Sequence, residues 1–150
     1  MNRCKWCNLN NPKYIEYHDK EWCQERYDDQ YLFEMLILEG FQAGISWECV
    51  LNKRKYFKEA YDDFDIEKIV LYDDAKIEEL SNNKNIIRNR LKIKASINNA
   101  KIFMNIESEF GSFKNYLLGY FKEYPVKEVG KTTSSISNEL SKDLYKRGMR

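Results

Sequence analysis

The stretch Asp28-Asp29-Gln30-Tyr31-Leu32-Phe33-Glu34-Met35-Leu36-Ile37-Leu38-Glu39-Gly40-Phe41 decides the fold class. Leu32, Phe33, Leu36 and Ile37 recur at helical spacing. Asp28 and Asp29 suit a helix start and Gly40 suits a stop. The same reading extends outward along the chain. Ser46 opens a second helix with Trp47, Val50 and Leu51, running to Phe57. Asp65 and either Asp73 or Asp74 look like caps of two short helices, one with Ile69 and Val70, the other with Ile77 and Leu80. The longest helix is expected over roughly 85–107, with Ile86, Ile93, Ile97 and Ala100 on its apolar side. Ser112 suits the cap of a helix carrying Phe113, Tyr116, Leu117 and Tyr120, followed by Pro125. Ser137 suits the cap of a last helix carrying Leu140 and Leu144, stopping at Gly148. Period-2 alternation is scarce, no hairpin dipeptide is found, and no repeat or low-complexity linker interrupts the chain. The expectation is an all-α fold, one domain over 1–150.

Bulk properties agree with a packed domain. A chain of 150 residues buries roughly two-thirds of its unfolded surface, enough for a core without staples. Aromatics are 15% of residues, far from a disordered composition. Net charge is +1, so bulk electrostatics selects neither nucleic acid nor acidic partners. The distribution is more informative. Between Ser81 and Ile106 there is no acid, but there are Lys84, Arg88, Arg90, Lys92, Lys94 and Lys101. Asn82, Asn83, Asn85, Asn89, Asn98 and Asn99 are interspersed. Such a block suits phosphates through charge and neutral hydrogen bonds together; it equally suits a solvated helix face. The opening Met1-Asn2-Arg3-Cys4-Lys5 has no apolar export signal, and no run approaches the ~18 apolar residues of a membrane span. Four cysteines in such a chain read as thiols or metal ligands rather than disulfides.

Glu39 stands out because its neighbours Leu36, Ile37, Leu38 and Phe41 are apolar. A carboxylate there is paired, protonated, lining a pocket, or at a helix end facing water. Phe41 and Trp47 follow it, and Tyr14, Tyr17 and Trp22 precede it. Aromatic walls and one carboxylate suit a planar cation, through stacking, cation–π attraction and charge neutralisation; ordinary core aromatics give the same pattern. Cys4-x2-Cys7-x10-His18-x4-Cys23 offers four zinc-type ligands, close to but not the same as familiar zinc spacings; reduced thiols and a hydrogen-bonded histidine are the alternative. No phosphate-binding glycine loop and no serine nucleophile elbow is present.

Arg3-Cys4-x-Trp6 with Pro12-x-Tyr14-x-x-Tyr17-His18-Asp19-x-Glu21-Trp22 resembles the N-terminal signature of the 3-methyladenine DNA glycosylase I family. Leu32-Phe33-Glu34, Leu38-Glu39-Gly40-x-Gln42-Ala43-Gly44-Ile45-Ser46-Trp47 and Lys53-Arg54 resemble its second signature, and the segment from Asn85 to Ile93 a third. The resemblance implies a helix-hairpin-helix DNA glycosylase fold. It also implies a monofunctional enzyme that flips 3-methyladenine out of alkylated duplex DNA and hydrolyses its N-glycosidic bond in base excision repair. It casts Glu39 as the catalytic site's recognition carboxylate, Tyr17 and Trp47 as stacking residues, and Trp6 and Tyr14 as further base-binding walls. Arg88 and Arg90 are the DNA-backbone candidates. Cys4 and His18 match two ligands of a structural zinc, Zn(2+). Family members continue past the position of Arg150, so the last hairpin helix and the other two zinc ligands are expected beyond it, leaving Leu140 and Leu144 uncovered. Cys7 and Cys23 are then the candidates to complete the metal site. The expected protein is a cytoplasmic monomer without membrane contact. The alternative is a catalytically weak or inactive remnant that only binds DNA or a cationic purine.

Overall fold

The computed structural model describes residues 3–121 and 132–150. Among these the regular structure is entirely helical: α1 Pro12–Lys20, α2 Asp29–Gln42, α3 Trp47–Ala60, α4 Ile66–Ile69, α5 Asp74–Asn82, α6 Arg90–Phe110, α7 Phe113–Leu118 and α8 Ser135–Lys146. Each helix of eight residues or more begins at a side chain that satisfies an orphan backbone N–H. Asn11, Asp28, Ser46, Asp73, Asn89 and Ser134 do so for α1, α2, α3, α5, α6 and α8, and each cap contributes about 1 kcal/mol.

The core lies where α2 and α6 cross, with α3, α5 and α7 packed around them. Phe33, Phe41, Phe57, Tyr61, Phe64 and Phe103 are fully enclosed. Phe103 packs edge-on to Phe33 at 5.2 Å and stacks on Phe113 at 4.0 Å. Full burial of each such ring stabilises the fold by roughly 1.5–3 kcal/mol. The buried Tyr61 hydroxyl meets Ser96 Oγ at 3.1 Å, so the core carries no unpaired phenol there.

Several boundaries differ from the sequence expectation. The long helix starts at Arg90, not near 85, because the Asn89 side chain accepts from Leu91 N and Lys92 N and closes its first turn. Gly40 does not stop α2. The helix continues to Gln42, since Phe41 is buried in the core and Lys92 Nζ donates to the Phe41 and Ala43 carbonyls at the helix end. The turn falls instead at Gly44, whose φ of 78° lies where a side chain would be strained. The last helix is capped by Ser134, with Ser137 at the third position completing a reciprocal capping box. The helix after Ser112 ends at Leu118, short of Tyr120; Pro125 lies outside the described residues. Gly148, at φ 105°, follows the end of α8 as expected. α8 has no buried residue, and Leu140 and Leu144 are only partly covered against the core. Helix α1, begun by the Asn11 cap and Pro12, had no separate sequence reading.

Candidate active site

Three helices meet through one face each. On α1, Tyr14 and Tyr17 point inward. On α3, Trp47 and Leu51 sit one turn apart. Met35 of α2 joins Tyr14, Tyr17, Leu51 and Trp47 in a small apolar cluster separate from the main core. Trp47 opens α3 directly after the Gly44 turn and the Ser46 cap, which brings its indole back toward the end of α2. Gln42 Nε2 donates to the Ile45 carbonyl at 3.0 Å and fixes that turn. Tyr17 and Trp47 meet edge-on at 5.4 Å. Among the described residues, the buried indole N–H of Trp47 has no hydrogen-bond partner.

Glu39 lies on the Met35 side of α2, one turn further along. As a residue it is exposed, yet the protein crowded around its carboxyl raises its pKa above the ordinary 4.5. Its charge reaches Tyr17. The phenol is pushed well above the usual tyrosine value, first by burial and then by repulsion from Glu39 and its other neighbours. Tyr17 and Trp47 are thus in ring contact, and Glu39 lies one turn beyond Met35 of their cluster, within electrostatic reach of Tyr17. Tyr14 extends the cluster by one turn. Trp6 packs on Tyr14 at 5.5 Å and edge-on to Trp22 at 5.0 Å, and remains 42% exposed. Glu39 also borders a cavity of about 410 Å³ between α2 and α8, lined by Leu140, Leu144 and Met149. A larger cavity of about 550 Å³ lies between α2 and α6 and touches none of Glu39, Tyr17 and Trp47.

The four-ligand metal arrangement is not assembled. Among the described residues no three His, Cys, Asp or Glu side chains form a metal-binding group. Cys4 and His18 are neighbours, but His18 Nε2 accepts from the Cys4 backbone N–H at 3.2 Å and Nδ1 lies 2.9 Å from Asp19 Oδ1. Both imidazole nitrogens are engaged. Asp19 in turn takes Arg3 Nη2 at 2.7 Å, which holds its pKa down to about 2. The Cys7 thiol is buried and donates to the Tyr14 carbonyl at 3.7 Å. Cys23 is exposed with a left-handed backbone, φ 59°. A tetrahedral zinc needs four donors; among the described residues these side chains form no such group.

The basic block is also less open than its composition suggests. Asn89 caps α6, and Asn83 accepts from Asn85 N. Asn82 donates to the Glu78 carbonyl. Asn98 donates to the Gly148 carbonyl, while Asn99 pairs with both backbone groups of Arg150. These asparagines hold helix ends and residues 148–150. Lys92 caps α2, and Arg90 forms an exposed ion pair with Glu78 at 2.5 Å. Lys84, Arg88, Lys94 and Lys101 are exposed. Arg88 stands in the turn before α6 rather than on the helix.

The structure also pairs charged residues that the sequence analysis quotes only within the family signatures. Glu34 of α2 is buried, with Arg54 Nε at 2.6 Å; Arg54 also grips both oxygens of Glu21 at 2.8 and 2.9 Å. Glu34 between Phe33 and Leu38, and Arg54 seven residues after Trp47, were the visible signals. Only tertiary packing discloses that they pair.

Comparison with known proteins shows the family. The family model described as methyladenine glycosylase matches residues 6–150. The chain is 38% identical to the DNA-3-methyladenine glycosylase of Haemophilus influenzae, over 97% of this chain and 82% of that protein. It is 37% identical to DNA-3-methyladenine glycosylase 1 of Escherichia coli, over 100% of this chain and 83% of that protein. A Staphylococcus aureus 3-methyladenine DNA glycosylase I, whose structure concerns recognition of 3-methyladenine, superposes with a TM-score of 0.92 at 34% identity; the match covers 100% of this chain and 82% of that one. Matched through nearly its whole length in sequence and in fold, the chain belongs to the methyladenine glycosylase family.

Proposed function

We propose that this protein is a monofunctional DNA glycosylase that removes 3-methyladenine from alkylated duplex DNA. The observation that carries the reading is the Tyr17–Trp47 ring pair, with Glu39 one helical turn beyond Met35 of the same cluster. The named activity of the bacterial relatives and structural neighbours that bind 3-methyladenine support it. Chemistry on a stacked base requires extrusion of that base. Methylation at N3 makes adenine a cation and weakens its N-glycosidic bond. The base leaves with the bonding electron pair, and water adds to the sugar carbon and loses a proton to solvent. The protein's task is therefore selection and positioning more than strong acid catalysis.

Each residue has a physical role in this scheme. Glu39 is the recognition carboxylate: partial desolvation destabilises its charge in the empty site, and a cationic base restores that stability. Tyr17 and Trp47 present ring surface to the base, and the unpaired Trp47 indole N–H is an available donor. Tyr14 and Trp6 extend the aromatic wall. Arg88, exposed in the turn before α6, would meet a DNA phosphate, and Arg90 would do so on release from Glu78. Among the described residues no helix is long and apolar enough to cross a membrane; a monomer acting on cytoplasmic DNA fits the reading.

The test is release of 3-methyladenine from methylated duplex DNA. The wild-type chain is expected to release it, and Glu39→Gln to lower kcat/KM by about 10²-fold, comparable to the loss of one preorganised electrostatic contact, with its circular dichroism unchanged. No release by the folded wild-type chain would favour a protein that only binds. Undiminished release by Glu39→Gln would remove Glu39 from the site.

A further inference from the structure

The apolar contact that seats α1 is small. Tyr14 and Tyr17 are its only buried residues, and they belong to the minor cluster with Leu51, not to the main core. That contact alone is a weak constraint on a nine-residue helix that must hold Tyr17 against Trp47. The stronger constraint lies one turn away, at the Arg54 guanidinium. Arg54 Nε donates to Glu34 Oε1 of α2, while Nη1 donates to both carboxylate oxygens of Glu21, the residue that ends α1. The Tyr31 hydroxyl of α2 reaches the same Glu21 at 3.2 Å, and Lys58 of α3 lies 3.3 Å from the second oxygen of Glu34. The Glu34 side chain is 6% exposed, and those of Glu21 and Arg54 are 16% exposed. Charge-assisted bonds shielded to that degree are strong and directional.

Spacing links this group to the base site. Glu21 lies four residues after Tyr17 on α1. Tyr31, Met35 and Glu39 lie at successive fours on α2. Trp47, Leu51 and Arg54 lie one turn apart on α3. One end of the three-helix junction thus carries Tyr17, Glu39 and Trp47; the other carries Glu21, Tyr31 and Arg54. Tyr17, Glu21, Leu51 and Arg54 line one common cleft of about 260 Å³.

We propose that Arg54 is a positioning residue for the base site, its pairing with Glu21 and Glu34 fixing α1 so that Tyr17 is held against Trp47. The reading rests on the proposed base site. A carboxylate at the end of α1 and another in mid-α2 fix two helices to one planar fork on the third. The fork geometry is specific to arginine: a lysine supplies the charge but not two separated donors at fixed angles. Arg54 touches no base; it acts through Tyr17.

The test uses Arg54→Lys and Glu21→Gln, each with Tyr17 intact and in a Tyr17→Leu background. Two variants are used so that a folding failure of one leaves the other to be read. The first readout needs no ligand: the indole N–H resonance of Trp47, which the Tyr17 ring shifts by its ring current. Both variants are expected to move this resonance when Tyr17 is present and not in the Tyr17→Leu background. The second readout is the Kd for free 3-methyladenine, followed by tryptophan fluorescence. It is expected to rise ~10-fold to ~10²-fold, the cost of a displacement of about 1 Å in a positioned group, with a much smaller change in the Tyr17→Leu background. An unmoved resonance, or equal effects in both backgrounds, would overturn the proposal by showing that Arg54 serves general stability alone. A wild-type protein that binds no 3-methyladenine, but whose Trp47 resonance responds as stated, would sink the base-site reading and leave the clamp on Tyr17 standing.

Discussion

At the residue scale, what matters is where a carboxyl sits. Glu39, Glu34 and Glu107 are all glutamates on helices, with three different environments. Glu34 is buried and satisfied by Arg54 and Lys58. Glu39 is partly desolvated without a cationic partner among the ion pairs of the described residues, as a carboxylate reserved for a cationic ligand would be. Glu107 of α6 is pushed up to about 7, first by burial, then by hydrogen bonding to Asp29 and repulsion from Asp29 and Glu67. Asp29 itself accepts from Phe113 N and Lys114 N at the start of α7, so the two acids stand at the junction of α2, α6 and α7. The folded state retains a proton on Glu107 that the unfolded chain releases near 4.5, so this contribution is complete at pH 4 and is lost as pH rises through about 7. Glu107→Gln is therefore expected to flatten the decline in stability between pH 5 and pH 8. It should melt a few degrees above wild type at pH 8; thermal unfolding at the two pH values checks this, and parallel profiles would contradict it.

At the scale of elements, the caps are legible and the joints are not. Asp28, Ser46, Asp65, Asp73 and Ser112 all begin helices, because a short side-chain oxygen just before an apolar periodic run leaves few alternatives. Helix ends depend on neighbours. Lys92 extends α2 past Gly40, and no local pattern near residue 40 announces it. The turn Asp62–Phe64 after α3 is a further case. All three residues have positive φ, between 49° and 59°, which non-glycine residues adopt only under constraint. Burial of Phe64 and the Asp62–Tyr72 hydrogen bond of 2.7 Å hold it there. Asp63 is exposed, and only its backbone carbonyl is held, by Gln30 Nε2. Asp63→Gly should relieve the strain and stabilise the protein by about 1 kcal/mol. A fall in Tm would show that the turn is set by the Asp63 side chain.

At the scale of the molecule, a nearly neutral chain still has a local basic surface, smaller than its composition suggests. Arg88→Ala with Arg90→Ala is expected to weaken duplex binding and lower the slope of log K against log salt by about 1 to 2. An unchanged slope would assign the block to a solvated face. The sequence by itself determined the all-helical class, most helix starts and the kinds of residue needed for a cationic base, because caps and apolar periodicity are local and long motifs are specific. It also set Glu39 apart, since a carboxylate in an apolar run is conspicuous without a structure. Only the tertiary structure decided which of these residues meet. It set Tyr17 against Trp47 after the Gly44 turn, engaged the asparagines in helix ends and backbone ties, and paired Arg54 with buried Glu34 and partly buried Glu21. The reason is physical: helix starts depend on a few adjacent residues, whereas hydrogen-bond satisfaction and desolvation depend on groups tens of residues away that only packing brings within reach.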